Sequence, residues 1–162
     1  MVKFALLLSL ELQKLTKFCA KSNKIWHLKY TCTHCGEKTK NFVTINPEDQ
    51  IKVPKSRGIA NYHSRCKFCK RDLTIIVLEP TEDKPVYIYE EHHEEFTKIA
   101  VFECRGLELT DFDPKGDFVA ISTENGNSFD IDFSDGDFCD FDEDSKALVS
   151  VANLKYKFDT VK

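Results

Sequence analysis

Apolar positions along this chain recur mainly at every second residue. Near the start Phe4, Leu6, Leu8, Leu10 and Leu12 alternate with Ala5, Leu7, Ser9 and Glu11, a period-two stripe that predicts a first strand with one buried face. Further strand-like stretches fall at 25–32, 42–45, 73–78, 86–89, 98–104, 118–122, 128–133 and 147–158. In the last of these Leu148, Ser150, Ala152, Leu154, Tyr156 and Phe158 alternate with Val149, Val151, Asn153, Lys155 and Lys157, which reads as one long half-buried strand. Turn chemistry punctuates the series at Asn46-Pro47, Asp113-Pro114-Lys115-Gly116, Glu124-Asn125-Gly126-Asn127 and Ser134-Asp135-Gly136-Asp137. No stretch of ten or more residues carries a sustained helical period, so helices are expected to be short or absent. Short strands joined by tight turns predict an all-β barrel or sandwich.

Composition agrees with sheet: thirteen Phe and five Tyr stand against one Met, and aromatic and β-branched residues suit a pleated surface. A chain of 162 residues can bury a core without disulfides, as one domain or as two small halves sharing that core. Charge divides the chain more sharply than hydropathy does. Residues 1–80 carry a formal charge of +9 and residues 81–162 carry −13, opposite fields that attract one another within one fold. The segment from Glu79 to Pro85 lies where the sign flips. It is the expected boundary between a half at 1–80 and an acidic, metal-free half at 86–162, both within a single domain.

Seven cysteines are an odd number for a disulfide framework. The apolar run before Glu11 and Gln13 lacks a small-residue cleavage site, so it reads as a strand and not as a secretory signal. These features lead us to expect a reducing compartment, the cytoplasm with the nucleus as a second location, and no membrane span, since no apolar run approaches about 20 residues.

The strongest chemical signal is a pair of CxxC motifs, Cys32-Thr-His-Cys35 and Cys66-Lys-Phe-Cys69, with thirty residues between them. A CxxC turn sets two sulfurs on one side of a tight knuckle. Two such knuckles place four thiolates at the corners of a tetrahedron, the donor set that closes around Zn²⁺ and leaves no position for water or substrate. Gly36 follows the first knuckle with the conformational freedom such a turn requires, whereas Lys70 follows the second. Four thiolates on Zn²⁺ make a dianion, and Lys29, Lys38, Arg65, Lys67, Lys70 and Arg71 supply compensating charge. The same residues are the only candidate nucleic-acid patch, and an acidic whole chain argues against that use. A thioredoxin-like dithiol site needs one CxxC opening a helix, and neither motif precedes a helical pattern.

Other candidates yield to simpler readings. His34 is expected to face solvent because four cysteines complete the shell. His92 and His93 sit in an acidic solvated loop. The run from Asp130 to Asp137 misses the calcium-loop register, with glycine one place late and Phe141 where a glutamate belongs. It reads better as an acidic hairpin with Phe129, Ile131 and Phe133 inward. Cys19, Cys104 and Cys139 are expected to be small buried residues. A faint duplication matches the strand ending at Cys32 with the one ending at Cys104, and the Cys32–Cys66 gap of 34 with the Cys104–Cys139 gap of 35.

Several segments together resemble the eukaryotic CXXC motif containing zinc binding protein family. They are Trp26-His-Leu-Lys-Tyr-Thr-Cys32-Thr-His-Cys35-Gly-Glu37, then Lys55-Ser-Arg-Gly58-Ile-Ala-Asn61 leading into Cys66-Lys-Phe-Cys69, then Phe102-Glu-Cys-Arg-Gly-Leu-Glu108 with Phe112. The acidic aromatic stretch from Asp137 to Glu143 with Ser150-Val151 also fits, although Phe138 and Phe141 stand where Trp and Tyr are common. The resemblance implies an all-β pseudo-barrel of two similar subdomains with one zinc on Cys32, Cys35, Cys66 and Cys69 and no known catalytic activity. Residues and resemblance together lead us to expect a monomeric, non-enzymatic interaction or metal-homeostasis module with a protein partner. A thiol-redox or metal-transfer protein using the CxxC pairs is the alternative.

Overall fold

The computed structural model describes residues 1–161 apart from His93 and Asp135, so the expected roles of those two residues lie outside the described residues. Fourteen strands are described: β1 Val2–Gln13, β2 Leu15–Ala20, β3 Trp26–Cys32, β4 Val43–Ile45, β5 Ile51–Lys52, β6 Ile59–Ala60, β7 Tyr62–Arg65, β8 Asp72–Glu79, β9 Thr97–Arg105, β10 Leu107–Asp113, β11 Phe118–Ser122, β12 Ser128–Ile131, β13 Phe138–Asp142 and β14 Ala147–Val161. A single 3₁₀ turn at Glu90–His92 is the helical content among the described residues. The protein is all-β.

One sheet has the order β13-β14-β1-β9-β8-β7, and two small sheets have the orders β10-β3-β4 and β12-β11-β2. This arrangement is a pseudo-two-fold. Exchanging β1 with β9, β2 with β10, β3 with β11, β4 with β12, β7 with β13 and β8 with β14 reproduces the same pairings, and β1 lies beside β9 at the centre. Each half also lends its second strand to the other's small sheet, since β10 pairs with β3 and β2 with β11. The halves are therefore interlocked rather than docked.

The β1 stripe is inward as its period requires: Phe4, Leu6, Leu8, Leu10 and Leu12 are all buried. Strands β2 and β10 were not anticipated, because one residue separates each from the strand before it. The corners are Lys14 and Gly106, at φ of 58° and 78°. Gly106 has a second reason to be glycine, since a Cβ there would lie 2.9 Å from Leu73 Cδ2. Strands β7 and β13 were also unanticipated, and the stretch predicted at 86–89 is not a strand. It touches the sheet through one bridge, Ile88 with Phe18, each N–H donating to the other's carbonyl at 2.8 Å.

Trp26 is fully buried at the joint between halves, edge-on to Phe102 with ring centres 5.4 Å apart and in contact with Phe112 and Phe118. Beside it lies a buried cation. Lys24 is 1% exposed, its Nζ donates to Lys115 O at 2.9 Å and Gly116 O at 2.7 Å, and it sits 4.4 Å from the Phe118 ring centre. Burial lowers its pKa to about 8, against opposing attraction from Asp117 and Asp113. A lysine depressed in the folded state binds fewer protons than the unfolded chain between that value and 10.5, so stability rises with pH across the window. Relative to Lys24→Met, the wild type is expected to gain up to about 3 kcal/mol between those limits. Urea unfolding of both proteins at each pH measures it, and a wild-type-minus-variant difference independent of pH would refute the assignment.

Candidate metal centre

The first knuckle closes the end of β3. Cys32 N donates to Glu37 O at 2.8 Å and Gly36 N to Cys32 O at 2.9 Å, a turn completed by Gly36 at φ 78°. The second knuckle repeats this beyond β7, with Cys66 N donating to Arg71 O and Lys70 N to Cys66 O, both at 2.9 Å. Lys70 takes the glycine position at φ 63°, a strain on the order of 1–2 kcal/mol for a residue with a Cβ. Arg65 Nε donates to Lys70 O at 3.0 Å and helps to hold that turn.

The knuckles belong to different sheets, and two contacts beneath them set their approach. Tyr30 and Tyr62 share a hydroxyl–hydroxyl hydrogen bond of 2.8 Å with rings edge to face; burial and that bond push the Tyr30 phenol up. Thr33 N donates to Gly106 O at 3.0 Å, anchoring the first knuckle on the β9–β10 corner. Sequence reasoning missed the tyrosines. Their signal was parity: Tyr30 shares the strand face of Cys32, and Tyr62 that of Cys66.

The four sulfurs of Cys32, Cys35, Cys66 and Cys69 all lie within 4.8 Å of one another. The cross-knuckle separations are 3.7 Å for Cys32–Cys69 and 3.5 Å for Cys35–Cys66. Ligands on a tetrahedron with Zn–S of about 2.3 Å are about 3.8 Å apart, so the donor set fits zinc. The distances are far longer than a disulfide bond, about 2.05 Å. Backbone N–H groups of Cys69 and Phe68 pull the Cys66 thiol down to about 6, and that of Cys35 lowers Cys32 against burial. Cys35 is raised to about 12: a backbone N–H from Glu37 favours its thiolate, but burial and the hydrogen bonds to Cys66 and Cys32 outweigh it. Four thiolates this close repel one another, and only a central cation lets all four ionise.

Lys38, Arg65, Lys67, Lys70 and Arg71 are exposed around the centre, with Lys29 half-buried over the Phe42 ring at 4.6 Å. His34 is exposed on the first knuckle. His92 accepts from Tyr89 N through Nδ1 at 3.3 Å, away from the centre. Cys104 is buried with its thiol pushed up to about 12 by desolvation and by Glu103, Cys19 is half-buried, and Cys139 is exposed, contrary to the expectation that all three are buried. On the edge strand β13 Cys139 stands opposite Ser150, on the face of β14 away from the buried Val149 and Val151.

The family profile described as CXXC motif containing zinc binding protein, eukaryotic, matches residues 5–159. A UPF0587 protein of Caenorhabditis elegans is 38% identical over 138 residues, covering 85% of this chain and 81% of the relative. The human CXXC motif containing zinc binding protein is 34% identical over 160 residues, covering 98% of each. The crystal structure of C1orf123 superposes with a TM-score of 0.88 at 32% identity, covering 98% of this chain and 99% of that one.

Proposed function

This chain belongs to the eukaryotic CXXC motif containing zinc binding protein family, and from that premise we propose that its one zinc is structural, in a non-enzymatic module that works through protein contacts or zinc homeostasis. The observation that carries this reading is the closed set of four sulfurs within 4.8 Å. Cys32, Cys35, Cys66 and Cys69 would hold the ion. Bound there it supplies cross-linking of two sheets and no chemistry, because no coordination position remains. The basic rim around the knuckles suits an acidic protein surface better than nucleic acid, and the uncombined thiols suit the cytoplasm or nucleus.

Metal analysis with thiol titration before and after chelation tests it. One zinc per chain, with four thiols shielded until chelation, is the expected result. Metal-free protein that forms a reversible Cys32–Cys35 disulfide would sink it in favour of thiol redox. One observation favours a second reading, metal transfer: Cys35 is exposed and Cys69 half-buried, so an acceptor thiolate reaches the edge of the centre. Transfer predicts zinc release that accelerates with acceptor concentration, whereas a structural centre releases at a rate set by its own opening.

A further inference from the structure

The pseudo-two-fold identifies what stands opposite the cysteines, and it is not Cys104 and Cys139. In the first half Thr33 N donates to the carbonyl of the Gly106 corner at 3.0 Å; in the second Thr123 N donates to the carbonyl of the Lys14 corner at 3.1 Å. Cys32 faces Leu107 across β3–β10, and Ser122 faces Leu15 across β11–β2. Gly126 N donates to Ser122 O at 2.9 Å and Ser122 N to Asn127 O at 2.8 Å, the bonds of the Cys32 knuckle, and Gly126 at φ 75° matches Gly36. Ser122-Thr-Glu-Asn125-Gly126 is thus the first knuckle over again. Beyond β13 the same holds for the second: Lys146 at φ 54° matches Lys70, so Asp142 and Ser145 occupy the places of Cys66 and Cys69. Burial follows position too, since Ser122 and Asp142 are buried like Cys32 and Cys66, Ser145 half-buried like Cys69, and Asn125 exposed like Cys35.

The chemistry at these places is inverted. Where the first centre gathers four acceptors suited to a cation, the second gathers hydrogen-bond donors on one anion. Asn125 Nδ2 and Ser145 Oγ each donate to Asp142 Oδ2 at 2.9 Å, and the Ser122 hydroxyl, which accepts from Glu124 N at 3.2 Å, helps to keep that carboxyl ionised. Asp144 N donates to Oδ1 at 3.2 Å, and Asn127 Nδ2 does so at 3.4 Å. A carboxylate 2% exposed is stable only with such partners.

We propose that Ser122, Asn125, Asp142 and Ser145 form a metal-free counterpart of the zinc centre, in which the Asp142 carboxylate ties two knuckles that retain the geometry of a zinc site. Its closure needs no metal, so chelation loosens the first pair of knuckles and leaves the second shut. The four positions accept zinc once they carry thiols.

The test is the full-length variant Ser122→Cys/Asn125→Cys/Asp142→Cys/Ser145→Cys, assayed for zinc per chain and thiol accessibility. Two zinc ions per chain and eight shielded thiols are expected. A folded variant with one zinc and four freely titrating new thiols would overturn the proposal. Should that variant not fold, amide exchange of zinc-loaded Asp142→Ala decides. Exchange at 123–127 and 143–146 at least tenfold faster, with one zinc retained, supports the proposal; unchanged exchange there overturns it. Wild-type zinc content reports the first centre alone, so failure of the structural-zinc reading is seen separately.

Discussion

Replacing Cys66 with serine is expected to abolish stoichiometric zinc binding and to open both first-half knuckles, with amide protection lost over 30–39 and 62–72. Cys66 has the most strongly lowered thiol of the four, held by the N–H groups of Cys69 and Phe68, and it is one of the two buried thiols of the cluster. Structural zinc contributes on the order of 10–16 kcal/mol of apparent binding free energy that is also folding free energy, as large as the whole stability of about 5–15 kcal/mol typical of a domain. Hydrogen bonding through Tyr30 and Tyr62 alone does not compensate a loss of that size. Cys139→Ser is the control: exposed and outside the centre, it is expected to keep one zinc and to change stability by less than about 0.5 kcal/mol. Zinc analysis and urea unfolding of the two variants measure the contrast. A Cys66→Ser protein that retains one tightly held zinc would show that Cys66 is not a ligand.

Trp26→Ala is the second large effect, expected to cost about 3–5 kcal/mol and to lower the unfolding midpoint by roughly 6–20 °C. The indole is 1% exposed and spans the joint, meeting Phe102 of β9, Phe112 of β10 and Phe118 of β11. All three partners come from the second half, so the vacancy loosens both halves. Zinc content is expected to stay at one per chain, which separates this loss of packing from loss of the metal. Calorimetry with parallel metal analysis checks both statements. A cost below about 1 kcal/mol would mean that the halves are held by their strand pairing and not by this cluster.

Reading the chain as sheet succeeded where one face stays inward for the whole strand, as in β1. It failed where the backbone changes face. The alternation read across 147–158 is broken within β14: Val149 and Val151 are buried while Leu148 is 57% exposed. Pairing with β1 then slips between Ser9–Lys155 and Glu11–Ala152, beside Asn153 at φ 53°, and Leu154 and Phe158 take over the inward role. A bulge inserts one residue and so reverses parity, which alternation alone does not reveal.

The second half shows the same division. Matching cysteine to cysteine paired Cys104 with Cys32, but Cys104 occupies the place of Leu12, two residues before a corner, and the true counterpart of Cys32 is a serine. Side-chain identities differ between the two halves while the turn bonds and left-handed positions match. By itself the sequence determined the all-β class, the inward face of β1 and the four thiols that meet in one cluster, because period-two burial and CxxC spacing act over a few neighbouring residues. Only the tertiary structure decided the strand exchange between halves, the bulged faces and the carboxylate-centred second pair of knuckles, because each depends on hydrogen bonds between residues distant along the chain.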